Sequence, residues 1–369
     1  MKIPKQNLRI PGPTPCPAEI MELMSSPMIN HRGPEFKELL YSVTHRLKQV
    51  FQTENDLYIL TASGTGALEA SLVNTLSRGD EVIAAVTGSF GRRYADMAEA
   101  VGAAVTRLDF EWGTDVDVST LRQALQDQPN AKAVLVTHNE TSTGVVNDLE
   151  AIADVVKDEF GKLLLVDAIS SLGCVSLPVD RWRCDVVATA SQKGFLTPPG
   201  LSFISFSPEA WKARKTATAT SFYFDLVTAQ SYLERGQTPF TPNLPLFYAL
   251  DRSLDVLLEE GLEETYTRHA YFGDITRRGI KALGLKLLPD DHCASNTITA
   301  VRVPSNIDAK ALVNTLRLEH DVVVAGGLGE LEGKIIRIGH LGAVSEPEIV
   351  ECIEALGKTL DAMGFHAGD

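Results

Sequence analysis

Two charged residues of this chain, Asp167 and Lys193, follow two successive apolar runs at the point where each run ends. Residues 163–167 are typical of a buried strand that ends on the acid, and residues 185–190 of a second strand that leads into the lysine. Lysines are usually solvated, so Lys193 could also be an ordinary surface residue. An acid that keeps a pyridine nitrogen protonated, beside an amine that can form a Schiff base, is what a pyridoxal phosphate (PLP) site needs.

The chain also contains a candidate site for the phosphate. Ser63-Gly64-Thr65-Gly66 follows the apolar run 57–60 and opens a helix-like stretch. Helix N-termini bind phosphate through free backbone N–H groups, and small residues allow close approach. Gly-rich turns between a strand and a helix are common, so this segment alone is weak evidence. It is neither a dinucleotide-binding fingerprint nor a P-loop, because the third glycine and the Gly-Lys-Ser/Thr ending are missing.

Loops after two further apolar runs supply aromatic and polar side chains. Phe90 lies between glycines just past residues 81–86, where its ring could stack on a cofactor or pack in the core. The polar segment 137–144 includes Thr141, which could hydrogen-bond a phenolic oxygen, and His138, which could be a general base or a structural histidine. All these loops follow the carboxyl ends of predicted parallel strands, where open α/β sheets bind ligands.

One arginine is a candidate for binding a substrate carboxylate. Arg337 has apolar neighbours throughout residues 335–339. Its guanidinium should therefore be partly desolvated and in need of an anion. A substrate carboxylate bound by two hydrogen bonds would supply that anion, and so would a buried salt bridge to an internal Asp or Glu.

The pattern of apolar runs predicts the fold class. Short β-branched runs alternate with amphipathic stretches, which indicates an α/β domain with a mostly parallel, seven-stranded sheet flanked by helices. The predicted strands cover residues 57–60, 81–86, 105–110, 133–137, 163–166, 185–190 and 201–206.

After residue 206 the pattern changes and predicts a second, smaller unit. Long amphipathic stretches are followed by fewer strands with helices between and after them, as in a small α+β domain. The predicted helices cover residues 244–260, 262–283, 308–318 and 346–363, and the predicted strands cover 297–303 and 335–339. We therefore expect a large domain over residues 16–262 and a small C-terminal domain over residues 263–369.

Composition limits the possible partners and compartment. The 369 residues carry a net charge of -14, which argues against binding to nucleic acid or anionic membranes. No apolar run approaches the ~20 residues of a membrane span, and the N-terminus lacks the apolar core of a signal peptide. Five scattered cysteines without a CxxC pair suggest reduced thiols and no metal site. We expect a cytoplasmic enzyme.

In combination and in this order, the motifs resemble the class V (fold type I) PLP-dependent aminotransferases, most closely the alanine/serine–glyoxylate and serine–pyruvate aminotransferase group. The resemblance runs almost from end to end. Its markers are PGPTP at residues 11–15, HRGPEF at 31–36, SGTGALE at 63–69, FGR at 90–92, HNETSTG at 138–144, DAISS at 167–171, SQKG at 191–194 and RIG at 337–339.

The resemblance implies a role for each matching residue. Lys193 would be the Schiff-base lysine and Asp167 the partner of the pyridine nitrogen. The phosphate would be held by Ser63, Gly64, Thr65 and Gln192. Around the ring would lie Phe90 on one face, Ile169 on the other and Thr141 near the phenolic oxygen.

The resemblance also implies a homodimer whose active sites are completed across the interface. The segment 237–241 resembles the one that reaches the partner's phosphate, with Thr241 matching well and Thr238 less so. Arg337 would bind the substrate carboxylate, and the backbone at Gly12, within the N-terminal segment 1–15, would line the same pocket.

The implied activity is a two-step transamination from alanine or serine to glyoxylate or pyruvate. No second arginine is clearly placed for a dicarboxylic donor. One alternative on the same fold is a cysteine desulfurase or other lyase, for which Cys293 would be the cysteine in a plausible loop. The other is a non-catalytic partner subunit, since relatives of this group are sometimes labelled as soluble hydrogenase subunits.

Overall fold

The structure is a computed structural model that describes residues 6–365. Its strands are β1 (Asn7–Leu8), β2 (Asp56–Leu60), β3 (Glu81–Val86), β4 (Ala104–Asp109), β5 (Ala133–Thr137), β6 (Asn139–Glu140), β7 (Val145–Val146), β8 (Leu163–Asp167), β9 (Val186–Ala190), β10 (Ser202–Phe206), β11 (Ile298–Arg302), β12 (Val322–Val323), β13 (Ala325–Gly326) and β14 (Ile335–Gly339). Its α-helices are α1 (Ala18–Leu23), α2 (Pro34–Phe51), α3 (Gly64–Val73), α4 (Ser89–Ala100), α5 (Val118–Asp127), α6 (Leu149–Ala153), α7 (Pro208–Arg214), α8 (Leu226–Leu233), α9 (Leu244–Glu260), α10 (Leu262–Ala282), α11 (Ala309–Glu319) and α12 (Glu346–Ala362).

The seven predicted strands form one sheet in the order β2-β10-β9-β8-β5-β3-β4. Parallel pairing joins β9, β8, β5, β3 and β4, and only β10 runs against its neighbours β9 and β2. The eleven residues 191–201 between β9 and β10 contain no helix. A parallel neighbour needs a crossover of a dozen or more residues, so this short connection can only return antiparallel. The predicted mostly parallel sheet is confirmed.

The central strands β5 and β8 are apolar along nearly all of their length because both faces are covered. In β5, Val134 and Val136 pack in one hydrophobic cluster while Ala133 and Leu135 pack in the cluster on the opposite face. Side chains alternate between the two faces of a strand, so a central strand with helices on both sides needs apolar residues at every position.

The functional edge of the sheet is set by the register of its central strands. Strands β8 and β9 pair in parallel, with Asp167 opposite Ala188, so the acid and the loop after Ala190 emerge at the same edge. The loop that contains Lys193 therefore begins next to the acid. Strands β3 and β5 end at this edge too, and they lead to Phe90 and Thr141. Phe90, which the sequence analysis placed in a loop, lies in the first turn of α4.

The C-terminal part has its own sheet and its own core. Strands β11, β14 and β13 form an antiparallel sheet in that order, and α11 and α12 pack with it around a separate hydrophobic cluster. The predicted α+β character is confirmed. The very short strands β12 and β13 carried no periodic signal in the sequence. We propose that the domain boundary lies near residue 262, at the start of α10.

The N-terminal segment is attached to this C-terminal part. Strand β1 pairs in parallel with β12, and the backbone of Arg9 bonds to both Val323 and Gly339. The chain then passes Gly12 on its way to α1. Among the described residues, no helix has the length and apolar character needed to cross a membrane.

Candidate active site

Lys193 lies in a tight pocket formed by the N-terminal segment. Its Nζ donates a hydrogen bond to the carbonyl oxygen of Pro11 at 2.6 Å. Gly12 adopts φ +131°, and a Cβ at this position would lie 2.6 Å from Nζ, so both the backbone and the available space favour glycine. Burial lowers the pKa of Lys193 to about 8, while the nearby Asp167 opposes this shift and Arg337 adds to it. A substantial fraction of the amine is thus neutral near physiological pH, as a nucleophile requires.

Asp167 is the buried acid of the site. Its side chain is 3% exposed and accepts a hydrogen bond from the Ile169 N–H at 2.9 Å. Burial raises the pKa of the carboxyl to about 7, and the negative charge of Glu140 adds to this rise. The Ile169 bond and the positive charges of Lys193 and Arg93 oppose it. A protonated pyridine nitrogen would stabilise the ionised carboxylate in this position.

The phosphate-binding candidates lie at the start of α3. Ser63 is the residue before the helix, and the first turn contains Gly64 and Thr65. A Cβ at Gly64 would lie 2.5 Å from Cδ1 of Ile169, so only glycine allows the helix this close to the site. The Oε1 atom of Gln192 is buried without a hydrogen-bond partner. Free helix N–H groups suit a bound phosphate ester, and the donor that Gln192 could offer to it is its amide nitrogen, not this oxygen.

One cavity of about 220 Å³ brings most of the predicted residues together. The predicted residues that line it are Gly12, Ser63, Gly64, Thr65, Phe90, Thr141, Asp167, Ile169, Gln192 and Lys193. Sequence reasoning missed the others, which are Pro13, Leu68, Arg93, Asn139, Ser170 and Pro199. Arg93 follows Phe90 by one turn of α4, and its guanidinium lies 4.9 Å from the centre of the Phe90 ring. This one-turn spacing identifies Arg93 only once Phe90 is known to lie in a helix, and no sequence feature identified Pro199.

Arg337 lies behind the cavity wall and does not line the cavity. Its side chain is buried, its Nε donates to the Gly326 carbonyl at 2.8 Å, and one terminal nitrogen donates to the Thr141 carbonyl at 3.2 Å. Burial lowers the pKa of the guanidinium to about 10, against the opposing effect of the Glu140 charge. Within residues 6–365 no carboxylate forms a salt bridge with it, so the buried ion pair that the sequence left open is not formed.

Two predicted cofactor residues lie away from this cavity. Thr238 is nearly buried and its hydroxyl donates to the Phe240 carbonyl at 2.8 Å, while Thr241 is exposed. Neither lines the cavity of its own chain. Their roles at a phosphate therefore depend on a second chain.

The remaining candidates from the sequence have structural partners elsewhere. His138 is buried edge-on against Trp182, and burial lowers its pKa to about 4, so it is neutral and does not line the cavity. Asp115, His292 and Cys293 lie close enough to hold a metal ion. His292 pairs with Asp115 at 3.2 Å, and the thiol donates to the backbone carbonyls of Gly113 and Asp290.

Comparison with known proteins agrees with this geometry. An alanine–glyoxylate aminotransferase of Nostoc sp. superposes with a TM-score of 0.94 at 32% identity, covering 98% of this chain and 96% of that one. The fold and the lysine–acid cavity define a fold type I PLP enzyme. The family model for aminotransferase class-V matches residues 18–330. The chain belongs to this family and is a PLP-dependent aminotransferase that acts on amino acids and 2-oxo acids.

Two further relatives show the range of names within the family. The chain is 43% identical to the soluble hydrogenase, small subunit, of Synechococcus sp., over 98% of this chain and 94% of the relative. It is 36% identical to the serine–glyoxylate aminotransferase of Methylorubrum extorquens, over 96% of this chain and 91% of the relative. The family resemblance inferred from the motifs is confirmed.

The buried charge of Asp167 leads to a pH-dependent prediction for the cofactor-free protein. The folded-state pKa of about 7 exceeds the ordinary 3.8, so the free energy of unfolding falls as pH rises from 4 to 7. Asp167→Asn removes this pH-dependent loss of stability, because asparagine does not ionise. Its amide oxygen can still accept the hydrogen bond from the Ile169 N–H. We expect the variant to be more stable than the wild type above pH 7 by up to about 4 kcal/mol, with a smaller gain at pH 5.

Urea unfolding of both cofactor-free proteins at pH 5 and pH 8 measures this difference. PLP titration of the same variants should show weaker binding for Asp167→Asn, because the partner of the pyridine nitrogen has lost its charge. A gain in stability that is equal at the two pH values would contradict the assignment of the raised pKa to Asp167.

Proposed function

We propose that the enzyme uses this cavity to transfer the amino group of a small amino acid, alanine or serine, to glyoxylate or pyruvate. The observation that carries this proposal is the opening of the Lys193 amine and the Asp167 carboxyl into one small cavity with the Arg337 guanidinium behind it. The Nostoc and Methylorubrum relatives, named for alanine–glyoxylate and serine–glyoxylate transfer, support the choice of substrates.

The residues around the cavity fit PLP. Its phosphate would be held by the start of α3 and by the amide nitrogen of Gln192. Phe90 and Ile169 would contact the ring, Thr141 its phenolic oxygen and Asp167 its nitrogen. When bound, PLP supplies an electron-withdrawing ring that makes the α-proton of an amino acid acidic.

Lys193 would move the proton in both halves of the reaction. In the first half, its Nζ would accept the proton from the α-carbon of the donor and pass it to the cofactor. In the second half, Nζ would take a proton from the cofactor and pass it to the α-carbon of the acceptor. The lowered pKa of about 8 supplies the neutral amine that this step needs. The 2.6 Å bond to the Pro11 carbonyl holds Nζ at the cavity.

Arg337 would bind the α-carboxylate of both substrates. Its positive charge contributes to the lowered pKa of Lys193. The sequence offered no second arginine for a dicarboxylate, yet Arg93 also lines the cavity. The Arg93 guanidinium lies against the Phe90 ring, so it belongs to the part of the cavity that would contact the cofactor. Aspartate nevertheless belongs in the panel of donors that tests the proposal.

The alternative functions lose support at specific residues. A desulfurase needs an exposed thiolate at the cavity. Cys293 is 2% exposed, lies outside the cavity, and has a pKa raised to about 11 by burial. A non-catalytic role is a possibility raised by the hydrogenase name of one relative. A half-reaction with any amino acid would exclude that role.

We predict that Lys193→Ala abolishes transamination. Loss of the proton-transfer amine should lower kcat by at least about 10²–10⁴-fold. It should also change the visible absorbance of the cofactor-bound protein, because the amine no longer contacts the cofactor. Steady-state kinetics with alanine and glyoxylate measure the first effect. Lys212→Ala, an exposed lysine, is the control, and wild-type rates in Lys193→Ala would refute the role.

We predict that Arg337→Ala chiefly impairs substrate binding. A buried charge pair that loses one partner costs about 2–5 kcal/mol, so kcat/KM should fall at least about thirtyfold, mostly through KM. The affinity for PLP should change little. The control is Arg278→Ala, an exposed arginine of α10. An unchanged kcat/KM for both substrates would reject Arg337 as the carboxylate ligand.

We propose a homodimer in which each chain completes the other's phosphate site. The support is an exposed aromatic group next to Thr238 and Thr241. Phe222 is 87% exposed, and Tyr223 stacks on Phe240 at 4.7 Å between ring centroids. An exposed apolar patch of this kind is typical of a protein–protein interface.

We predict that Phe222→Asp weakens both dimerisation and PLP binding. A charge on this patch would have to be desolvated in the dimer, and the partner's Thr241 would then leave the phosphate. Sedimentation equilibrium and PLP titration measure the two effects. Leu318→Asp, an 80% exposed leucine of α11, is the control. A monomeric wild type with full PLP affinity would contradict the shared site.

We propose a cytoplasmic location. The five cysteines are all unpaired, and four of them are buried. Unpaired thiols are typical of a reducing compartment.

A further inference from the structure

The sequence analysis assigned no role to Glu140, a charged residue of the polar segment 137–144. Glu140, in β6, is 0% exposed and does not line the cavity. No lysine, arginine or histidine of the described chain forms a salt bridge with it. A buried carboxylate without such a partner is costly unless hydrogen bonds satisfy it.

Its hydrogen bonds come from the first turn of α4 and from its own loop. The Phe90 N–H donates to both carboxylate oxygens at 3.2 and 3.1 Å, and the Gly91 N–H donates at 2.9 Å. The backbone N–H and the hydroxyl of Ser142 add bonds of 3.0 and 2.6 Å. The carboxylate therefore occupies the N-terminus of α4, where the helix dipole favours negative charge.

The space for this carboxylate depends on a glycine. A Cβ at Gly88 would lie 2.5 Å from Cγ of Glu140 and 2.6 Å from its Cδ. The backbone of Gly88 is extended, so the requirement is for space and not for an unusual conformation. The residue just before α4 thus leaves room for the acid that holds the helix.

The same short segment also contacts the other walls of the site. The Thr141 carbonyl accepts from Arg337, and the Asn139 side chain bonds to Ser295 and Thr297 near the C-terminal sheet. Glu140 is therefore fixed from both sides, and its carboxylate determines where the first turn of α4 lies.

We propose that Glu140 is a positioning residue that holds the Phe90 ring against the cofactor through the backbone N–H groups of Phe90 and Gly91. This inference rests on the proposed PLP site. Glu140 neither lines the cavity nor contacts the reacting amine, so its hydrogen bonds reach the Phe90 ring only through the first turn of α4. Its negative charge also raises the pKa of both Asp167 and Arg337, which places it within electrostatic reach of both ends of the site.

The test is PLP titration of Glu140→Gln. The variant keeps the size of the side chain but replaces one of the two acceptor oxygens with an NH2 donor, so the N–H groups of Phe90, Gly91 and Ser142 can no longer all be bonded. We expect the Kd for PLP to rise about tenfold, since stacking of an aromatic pair is worth up to ~1.5 kcal/mol. The visible circular dichroism of bound PLP should weaken as Phe90 moves. Glu69→Gln, an exposed acid of α3, is the matched control.

A double-mutant cycle with Phe90→Leu tests whether Glu140 acts through the ring. If it does, adding Glu140→Gln to Phe90→Leu causes little further loss of PLP affinity. Additive losses, or a Glu140→Gln variant with wild-type affinity and dichroism, overturn the inference while the proposed function stands. A wild type that fails to bind PLP overturns both.

A second route to the same perturbation guards against misfolding of Glu140→Gln. Gly88→Ala leaves the carboxylate intact but crowds it together with the Ser142 hydroxyl. Ser142→Ala removes one donor to the carboxylate and also the acceptor of the Ser89 N–H. Both variants should weaken PLP binding and its dichroism in the same direction. If Gly88→Ala and Ser142→Ala both fold and both bind PLP as tightly as the wild type, the inference is overturned.

Discussion

The site depends on keeping charged groups at one edge of a sheet whose interior is apolar on both faces. Asp167, Lys193 and Arg337 are each largely shielded from water. Burial raises the pKa of the acid and lowers the pKa of the two bases, which favours the neutral form of each group. The backbone groups within the strands are paired along the sheet, so hydrogen bonds to these charged groups come from the segments beyond the strand ends. Pro11 and Ile169 supply such bonds. The fold thus confines reactive groups to the place where backbone donors and acceptors are free.

Much of the fold follows from the sequence because central parallel strands have a simple signature. A strand such as β5, covered on both faces, must be apolar at every position, and this pattern was readable without a structure. Asp167 and Lys193 were also readable, because each follows such a strand directly. The reversed direction of β10 follows from the length of the connection before it.

Other parts of the site were not readable for physical reasons. Arg93 lines the cavity only because α4 brings it one turn below Phe90, and hydrophobic periodicity does not report on a single cation. Glu140 stood in a polar loop, and nothing in the sequence showed that its carboxylate is fully buried. Thr238 and Thr241 lie outside their own chain's cavity, so their roles depend on a second chain. The position of a residue in the sequence predicts the end of a strand well. It does not predict which residues of distant loops contact one another, because those contacts depend on the fold as a whole.

The path of the N-terminal segment has a mechanical consequence. Residues 7–8 pair with β12, and the Gly339 N–H at the end of the strand that carries Arg337 donates to the Arg9 carbonyl at 2.7 Å. Two residues later, Pro11 accepts the hydrogen bond from Lys193. The acceptor of the reactive amine is therefore attached to the strand that presents the guanidinium. A displacement of that strand would therefore also move the acceptor of the amine, because only the three residues 9–11 join the two hydrogen bonds.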